Sequence, residues 1–308
     1  MSYKDSRVNK VLANISLGYW GEGYICKNLL TKLPVPQWTG LMGEYGNAHR
    51  QLYSTRIFDR GEYKTVPSID YNISRTYVVN NHGLKDYVTE RDYEEVEAPF
   101  MAEQDKTLGL KELLLIEKEY EISSLMRNVA TYPTGNSRVL SGDAQFSDYA
   151  NSDPLKVFAD ARAKVYEVSR KRVNTAIIPY EVLIQLENHP KLTGIYGSKG
   201  VYSSISLQQI ANALKIKNIM VPEASYIGAG GAETAFWGKD IVLYHQAPSA
   251  SKRQRTFGYR IQKNGHEARV FKKSAQNLVN SNVIFHDWAY SWVIVNPGAG
   301  YVIKNAVA

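Results

Sequence analysis

The glycine cluster in "YIGAGGAETAFWG" (226–238) has the residue type that cradles the pyrophosphate of a dinucleotide. That chemistry needs a third glycine at position 233 and a helix behind it. The chain has Glu233 there, and Trp237-Gly238 would cut a helix short, so a loop between strands is expected. The six histidines (His49, His82, His189, His245, His266 and His286) show no metal-ligand spacing. "HEARV" (266–270) lacks the second histidine of a zinc-protease helix. The single cysteine, Cys26, offers no thiolate cluster, and its extended surroundings are a poor scaffold for a Cys–His dyad. The basic runs "SRKRVN" (169–174) and "SKRQRTFGYR" (251–260) carry charge that suits phosphate, yet no aromatic ladder accompanies them. They read as solvated surface. In "TAIIPYEVLIQLENHP" (175–190) a buried strand turns into a helix, a junction where enzymes often set a catalytic side chain. Only Pro179, Tyr180 and Glu181 occupy it, with no nucleophile and no glycine cradle. No cofactor, metal or catalytic set emerges, and the expectation is a protein that is not an enzyme.

The elements that hold these stretches say more. A chain of 308 residues, 44% hydrophobic and free of low-complexity segments, can bury one large core or two ordinary ones. One cysteine excludes an internal disulfide framework and fits a reducing compartment. Neither a basic-then-apolar leader nor an apolar run of about 18 residues is found, so no membrane partner is expected. The net charge of +7 is unevenly spread. Residues 86–121 hold 12 acidic against 4 basic side chains, a local −8, which leaves +15 elsewhere. Such asymmetry is either a solvated face or a pair of complementary surfaces between copies of the chain. Tyrosines 45, 53, 63, 71, 77, 87 and 93 run through a polar stretch that makes a poor core. Amphipathic rings on a half-exposed segment suit a protein interface, although tyrosine is also a common strand residue.

Residues 1–38 lack sustained periodicity, and Pro34 and Pro36 force an extended path, so an arm is expected. Residues 50–80 alternate in places, as in "RTYVVNN", and suggest a long hairpin or extended loop that something else must cover. The strongest helix signal is "TLGLKELLLIEKEYEISSLMRN" (107–128), with Thr107 as a cap and Leu110, Leu113, Leu114, Glu117, Tyr120, Glu121 and Leu125 at three- and four-residue steps. Further on, Asp153 and Pro154 form a cap-and-start pair ahead of a helix whose expected buried stripe is Phe158, Ala161, Val165 and Val168. "TAIIP" is a strand, "YEVLIQLENH" a helix stopped at Pro190, and "ISLQQIANALKI" a helix with Ser206 and Gln209 spaced as a capping box. "NIMVP" and "DIVLYH" are short strands, and the C-terminal stretch from "NVIFHDW" is β-rich.

The order of these pieces resembles the major capsid proteins of tailed bacteriophages, with the Hong Kong 97-type fold. The arm precedes the hairpin "SIDYNISRTYVVNNHGLKDYVTERDYEEVEAP", and the long helix comes next. The Asp-Pro helix start, the Asn-Thr strand, the helix closed by "ENHP", the Trp-Gly-Lys-Asp turn and the terminal "GAGYVIKNAVA" follow in sequence. The likeness covers about residues 35–308. It implies an α+β capsid fold divided into an N-terminal arm (1–38), an extended loop and its base (39–85), a peripheral domain with a spine helix (86–152), an axial domain (153–264) and completing C-terminal strands (265–308). It further implies an icosahedral virion shell around double-stranded DNA, built from hexamers and pentamers in the host cytoplasm. Scaffolding, portal and decoration proteins would be its partners, and DNA would be touched without sequence preference. An interface between copies is expected to pair Arg56, Arg60, Tyr63, Lys64, Tyr71, Arg75 and Tyr77 of the loop with Glu112, Glu117 and Glu121 of the spine helix. No Lys–Asn crosslinking set can be matched, so the shell is expected to be non-covalent. Two rivals stay open: the shell of a cellular encapsulating nanocompartment, which shares the fold, and a basic protein that coats nucleic acid directly. Salt would separate the second, since phosphate binding weakens steeply with ionic strength.

Overall fold

The computed structural model describes residues 8–19, 21–44, 72–95, 99–196, 205–228, 230–250, 255–274 and 281–308. The chain runs through helix α1 (Lys10–Gly18), strands β1 (Thr31–Val35), β2 (Thr39–Glu44), β3 (Asn72–Val78) and β4 (Asn80–Val88), then helices α2 (Glu90–Glu94) and α3 (Pro99–Arg127). Next come β5 (Ser137–Val139), α4 (Pro154–Ser169), β6 (Thr175–Ile177), α5 (Tyr180–Glu187), α6 (Pro190–Thr193) and α7 (Leu207–Leu214). The remaining strands are β7 (Asn218–Met220), β8 (Ser225–Ile227), β9 (Glu233–Ala235), β10 (Ile241–Tyr244), β11 (Gly258–Lys263), β12 (Arg269–Ser274), β13 (Asn282–Ile294) and β14 (Gly300–Lys304).

Strand β13 organises one sheet. Along one edge it pairs with β4, from Asn282↔Val88 to Tyr290↔Asn80. Its other edge takes β12 and then β11, and β1 joins β11 in parallel. The second sheet has the order β5-β14-β10-β6-β7, with parallel pairs at both ends and antiparallel ones between. Alternate residues of its central strands serve two cores. Ile241, Leu243, Ala176 and Ile303 face the cluster under α4, α5 and α7, whereas Val242, Tyr244, Ile177 and Val302 face the cluster shared with α3 and the first sheet. A strand buried on both faces reads as an unbroken apolar run, which is why "IVLY" shows no alternation.

Local chemistry sets the helices of the second core. The Asp153 carboxylate accepts the N–H of Lys156 at 3.0 Å, and Pro154 opens α4. Ser206 and Gln209 close the reciprocal capping box of α7. Phe158, Ala161 and Val165 are buried as the spacing requires, but Val168 is 47% exposed and Val157 takes its place. Helix α5 ends at Glu187, and Pro190 starts the short α6 instead of only stopping a helix, a first-turn position that its missing N–H suits.

Three expectations change more. The long helix begins at Pro99, eight residues before Thr107, which is buried inside it and donates its hydroxyl to the Glu103 carbonyl at 2.7 Å. The stretch expected as an arm holds α1 and strand β1, and it sends Cys26, Leu29 and Leu30 into the α3 core with almost no exposure. Arg260, read as solvated, is also buried and donates to the carbonyl of Lys27 at 3.0 Å. Pro34 does lie in an extended strand, β1.

Candidate assembly site

Helix α3 is where the first sheet, the second sheet and the N-terminal segment meet. Its buried face comprises Leu110, Lys111, Leu114, Leu115, Lys118, Glu119, Ile122 and Met126. Leu113 and Tyr120 point to solvent, at 55% and 50% exposure. The predicted stripe was thus out of phase, because three charged residues sit on the inner face and two large apolar ones on the outer.

Each buried charge has a reason to be tolerated. Glu119 accepts the indole N–H of Trp237 and the backbone N–H of Cys26, both at 2.7 Å. Burial raises its pKa in spite of those bonds. Lys111 donates to the carbonyl of Ser16, tying α3 to α1, and its burial first, then Lys27, drives its pKa to about 8. Lys118 lies within 4.2 Å of the Trp288 ring centre and 4.5 Å of that of Tyr290, with Trp292 at 6.0 Å. Desolvation brings it down to about 7, while the aromatic faces favour its charged form. Burial, and next the Glu119 charge, raise the Cys26 thiol, so it is an inert core residue and not a reactive one.

At the C-terminal end of α3, Asp240 of the Trp-Gly-Lys-Asp turn ties three elements together. It is 2% exposed, accepts Arg127 Nε at 2.7 Å and the N–H of Asn305 at 3.1 Å, and pairs with Lys304. Arg127 also donates to the carbonyl of Phe236 at 2.7 Å. The strand–helix junction at Pro179 borders a groove of about 450 Å³ with Tyr180, Glu181, Pro222, Glu223 and Trp237, and no Ser, Thr, Cys, Lys or His is among the described residues that line it.

Of the residues expected at an interface, Arg56, Arg60, Tyr63, Lys64 and Tyr71 lie outside the described residues. Arg75 falls on β3, opposite Met42 of β2. Tyr77 is not half-exposed. It is buried with Val35, Met42, Val79, Tyr259, Ile261 and Ala289, and its ring lies across Gly40, where an added Cβ would come within 2.6 Å of the hydroxyl. Sequence spacing cannot reveal that, because Gly40 is its cross-strand partner in the β2–β3 pair. Glu112 is exposed and accepts the Tyr19 hydroxyl at 3.4 Å. Glu117 and Glu121 come together with His82 of β4, whose Nδ1 is 3.2 Å from Glu117 Oε1 and 3.9 Å from Glu121 Oε1. The histidine spacing gave no sign of this grouping, since β4 and α3 are joined only by the fold.

The outer side of α3 and β4 forms a groove of about 660 Å³, lined by Leu84, Lys85, Asp86, Lys106, Leu110 and Leu113. Leu41 and Val78, at the base of the loop, are 67% and 55% exposed. Among the described residues Leu41, Val78, Leu84 and Leu113 stay exposed.

No family model matches the chain. It is 28% identical to the major capsid protein of Burkholderia phage BcepMu, over 97% of this chain and 96% of that protein. It is 23% identical to the major capsid protein of Pseudomonas phage JBD67, end to end in both. The crystal structure of a phage-related protein from Bordetella bronchiseptica RB50 shares the fold with a TM-score of 0.76 at 22% identity, covering 98% of each chain. Chains of the bacteriophage PhiM1 mature capsid and of the cyanophage P-SCSP1u capsid share the fold at TM-scores of 0.52 and 0.54. The fold, the order of motifs and the near-full-length sequence matches agree, and together they support a capsid shell protein of a phage, similar to the major capsid proteins named above.

Proposed function

We propose that this capsid shell protein assembles as hexamers and pentamers into an icosahedral shell around double-stranded DNA. Assembly takes place in the host cytoplasm around a separate scaffolding protein, with portal and decoration proteins added to the shell. The sequence match to phage major capsid proteins over nearly the whole chain carries this reading. In it, residues 1–38 serve as an N-terminal arm anchored on the α3 core through Cys26, Leu29 and Leu30, 39–85 as the extended loop, 86–152 as the peripheral domain, 153–264 as the axial domain and 265–308 as strands completing both. The uncovered apolar groove along α3 and β4, and the exposed Leu41 and Val78, favour burial by a neighbouring copy. Pro179–Glu181 then belong to rigid α/β filling that shapes the subunit. The positive balance outside residues 86–121 acts as a sequence-independent attraction for packaged DNA.

The loop bases Arg56, Arg60, Lys64 and Arg75 face the acidic segment of the next subunit in this proposal, with Tyr63 and Tyr71 as amphipathic contacts. Glu112 is the acceptor on α3 in this pairing, since it holds a long 3.4 Å bond from the Tyr19 hydroxyl while Glu117 and Glu121 engage His82. One exposed pair contributes about 0–1 kcal/mol, but a reversal repeats at each copy of the interface. Arg60→Glu with Arg75→Glu should slow assembly, more at low salt than at high salt, and Glu112→Lys should restore part of the rate. Light scattering across a salt series reads this. A defect indifferent to salt and unrelieved by Glu112→Lys would mean that the acidic segment is only a solvated face.

A further inference from the structure

The grouping of His82, Glu117 and Glu121 has the makings of a cation site. Glu117 and Glu121 are one turn apart on the outer face of α3, where two like charges disfavour each other. His82 reaches them from β4. One ligand atom from each residue lies within 4.8 Å of the others. A borderline divalent ion with bonds of about 2.1 Å to imidazole nitrogen and carboxylate oxygen separates neighbouring ligand atoms by about 3.0–3.4 Å. The Nδ1–Glu117 separation of 3.2 Å already fits, and the 3.9 Å to Glu121 needs only a small carboxylate adjustment.

Two features go beyond a casual ion pair. The His82 ring is held flat on Tyr290, with centroids 4.3 Å apart and planes 14° apart, so its nitrogen is aimed and not free to sweep. Its side chain is only 10% exposed, against 49% for Glu117 and 35% for Glu121. The Tyr290 hydroxyl below it is 99% buried by residue exposure and falls short of hydrogen-bonding geometry to any partner. A phenol O–H turned toward a ligating carboxylate is the kind of outer partner that orients metal ligands.

We propose that His82, Glu117 and Glu121 bind one borderline divalent cation of the Zn²⁺ class, with Tyr290 as a positioning residue and water completing the coordination. Imidazole among the ligands favours such an ion over Mg²⁺ or Ca²⁺. The ion would clamp β4 to the outer face of α3, beside the groove described above.

Calorimetric titration of the tag-free, full-length, metal-stripped chain with ZnCl₂ tests this directly, and Co²⁺ absorption reports the coordination. The expected result is saturable binding of one equivalent, weakened at least about tenfold by Glu117→Gln with Glu121→Gln, and similarly by His82→Gln. Tyr290→Phe should weaken it by about tenfold without changing the stoichiometry. His266→Gln, whose imidazole contacts the Asn264 carbonyl and packs edge-on against Trp38, should have no effect. The two amide substitutions are at an exposed and a half-buried position, so the variant should fold, with circular dichroism as the check. Single Glu117→Gln gives the same readout if the double variant does not fold. Absence of one-equivalent binding, or binding equal in the wild type and the carboxamide variants, would leave a simple histidine–carboxylate ion pair and overturn the proposal.

Discussion

Replacing Arg127 and Lys304 by methionine, singly and together, measures how tightly the end of α3 is locked to the second sheet. Asp240 is 2% exposed, so its charge is compensated only by what touches it: Arg127, Lys304 and the N–H of Asn305. The Arg127 and Lys304 side chains are 31% and 24% exposed, so each alone can partly turn to water when its partner is lost. Lys304→Met leaves Arg127 in place and should cost about 1 kcal/mol. Arg127→Met also strands the Phe236 carbonyl and should cost about 1–2 kcal/mol. The double variant leaves a buried carboxylate with one backbone donor, a situation that costs about 3–5 kcal/mol. The excess over the sum of the singles, about 1–2 kcal/mol, is the coupling. An unfolding entropy of about 2.1 cal/mol/K per residue gives about 0.65 kcal/mol/K for 308 residues, so the double variant should melt about 5–8 °C lower. Adding Asp240→Leu to it should recover most of the loss, because an apolar trio replaces an orphaned charge. Calorimetry on unassembled subunits provides the values. Singles that add within about 0.5 kcal/mol, or an Asp240→Leu that gives no recovery, would refute the idea of one coupled node.

Acid should weaken the subunit through His286. Its Nε2 is 2.6 Å from the Ser16 hydroxyl, and burial first, with Lys111 second, lowers its pKa to about 3 from an ordinary 6.5. A depressed folded value means stability that is present above pH 6.5 and lost as pH falls toward 3, at about 1.4 kcal/mol per unit. Urea midpoints of His286→Gln should fall less steeply over that window than those of the wild type, and an unchanged slope would remove His286 from the acid response. Gly300→Ala should destabilise by about 1–3 kcal/mol, since a Cβ there would meet the Phe257 ring at 2.3 Å and the Tyr132 ring at 2.8 Å. A thermal shift within error would mean that those rings move aside freely.

Much of the second core was legible because its signals are local. Asp153 with Pro154, Ser206 with Gln209, and the apolar runs of β6 and β10 each declare themselves within a few residues. The α3 face was harder. Lys111, Lys118 and Glu119 are buried because distant partners receive them: Ser16, the aromatic residues of β13, and Trp237 with Cys26. A periodicity reading assigns charged residues to water and so shifts the stripe toward Leu113 and Tyr120. The same cause hid the role of the N-terminal segment, where Cys26, Leu29 and Leu30 are spaced by no regular period yet fill one cavity beside Tyr244 and Phe257. Tyr77 looked like an interface ring because only the β2–β3 pairing reveals the glycine beneath it. His82 and the two glutamates came together through the contact of β4 with α3, which no spacing in the sequence encodes.

Electron microscopy of the expressed chain, alone and together with its scaffolding partner, tests the central claim most directly. The proposed assembly covers the groove along α3 and β4 and the exposed Leu41 and Val78 at the base of the loop with neighbouring copies. The prediction is rings or closed shells of uniform size with five- and six-fold clusters of subunits. A compact monomer at every concentration, in the presence of the scaffold as well as in its absence, would contradict it.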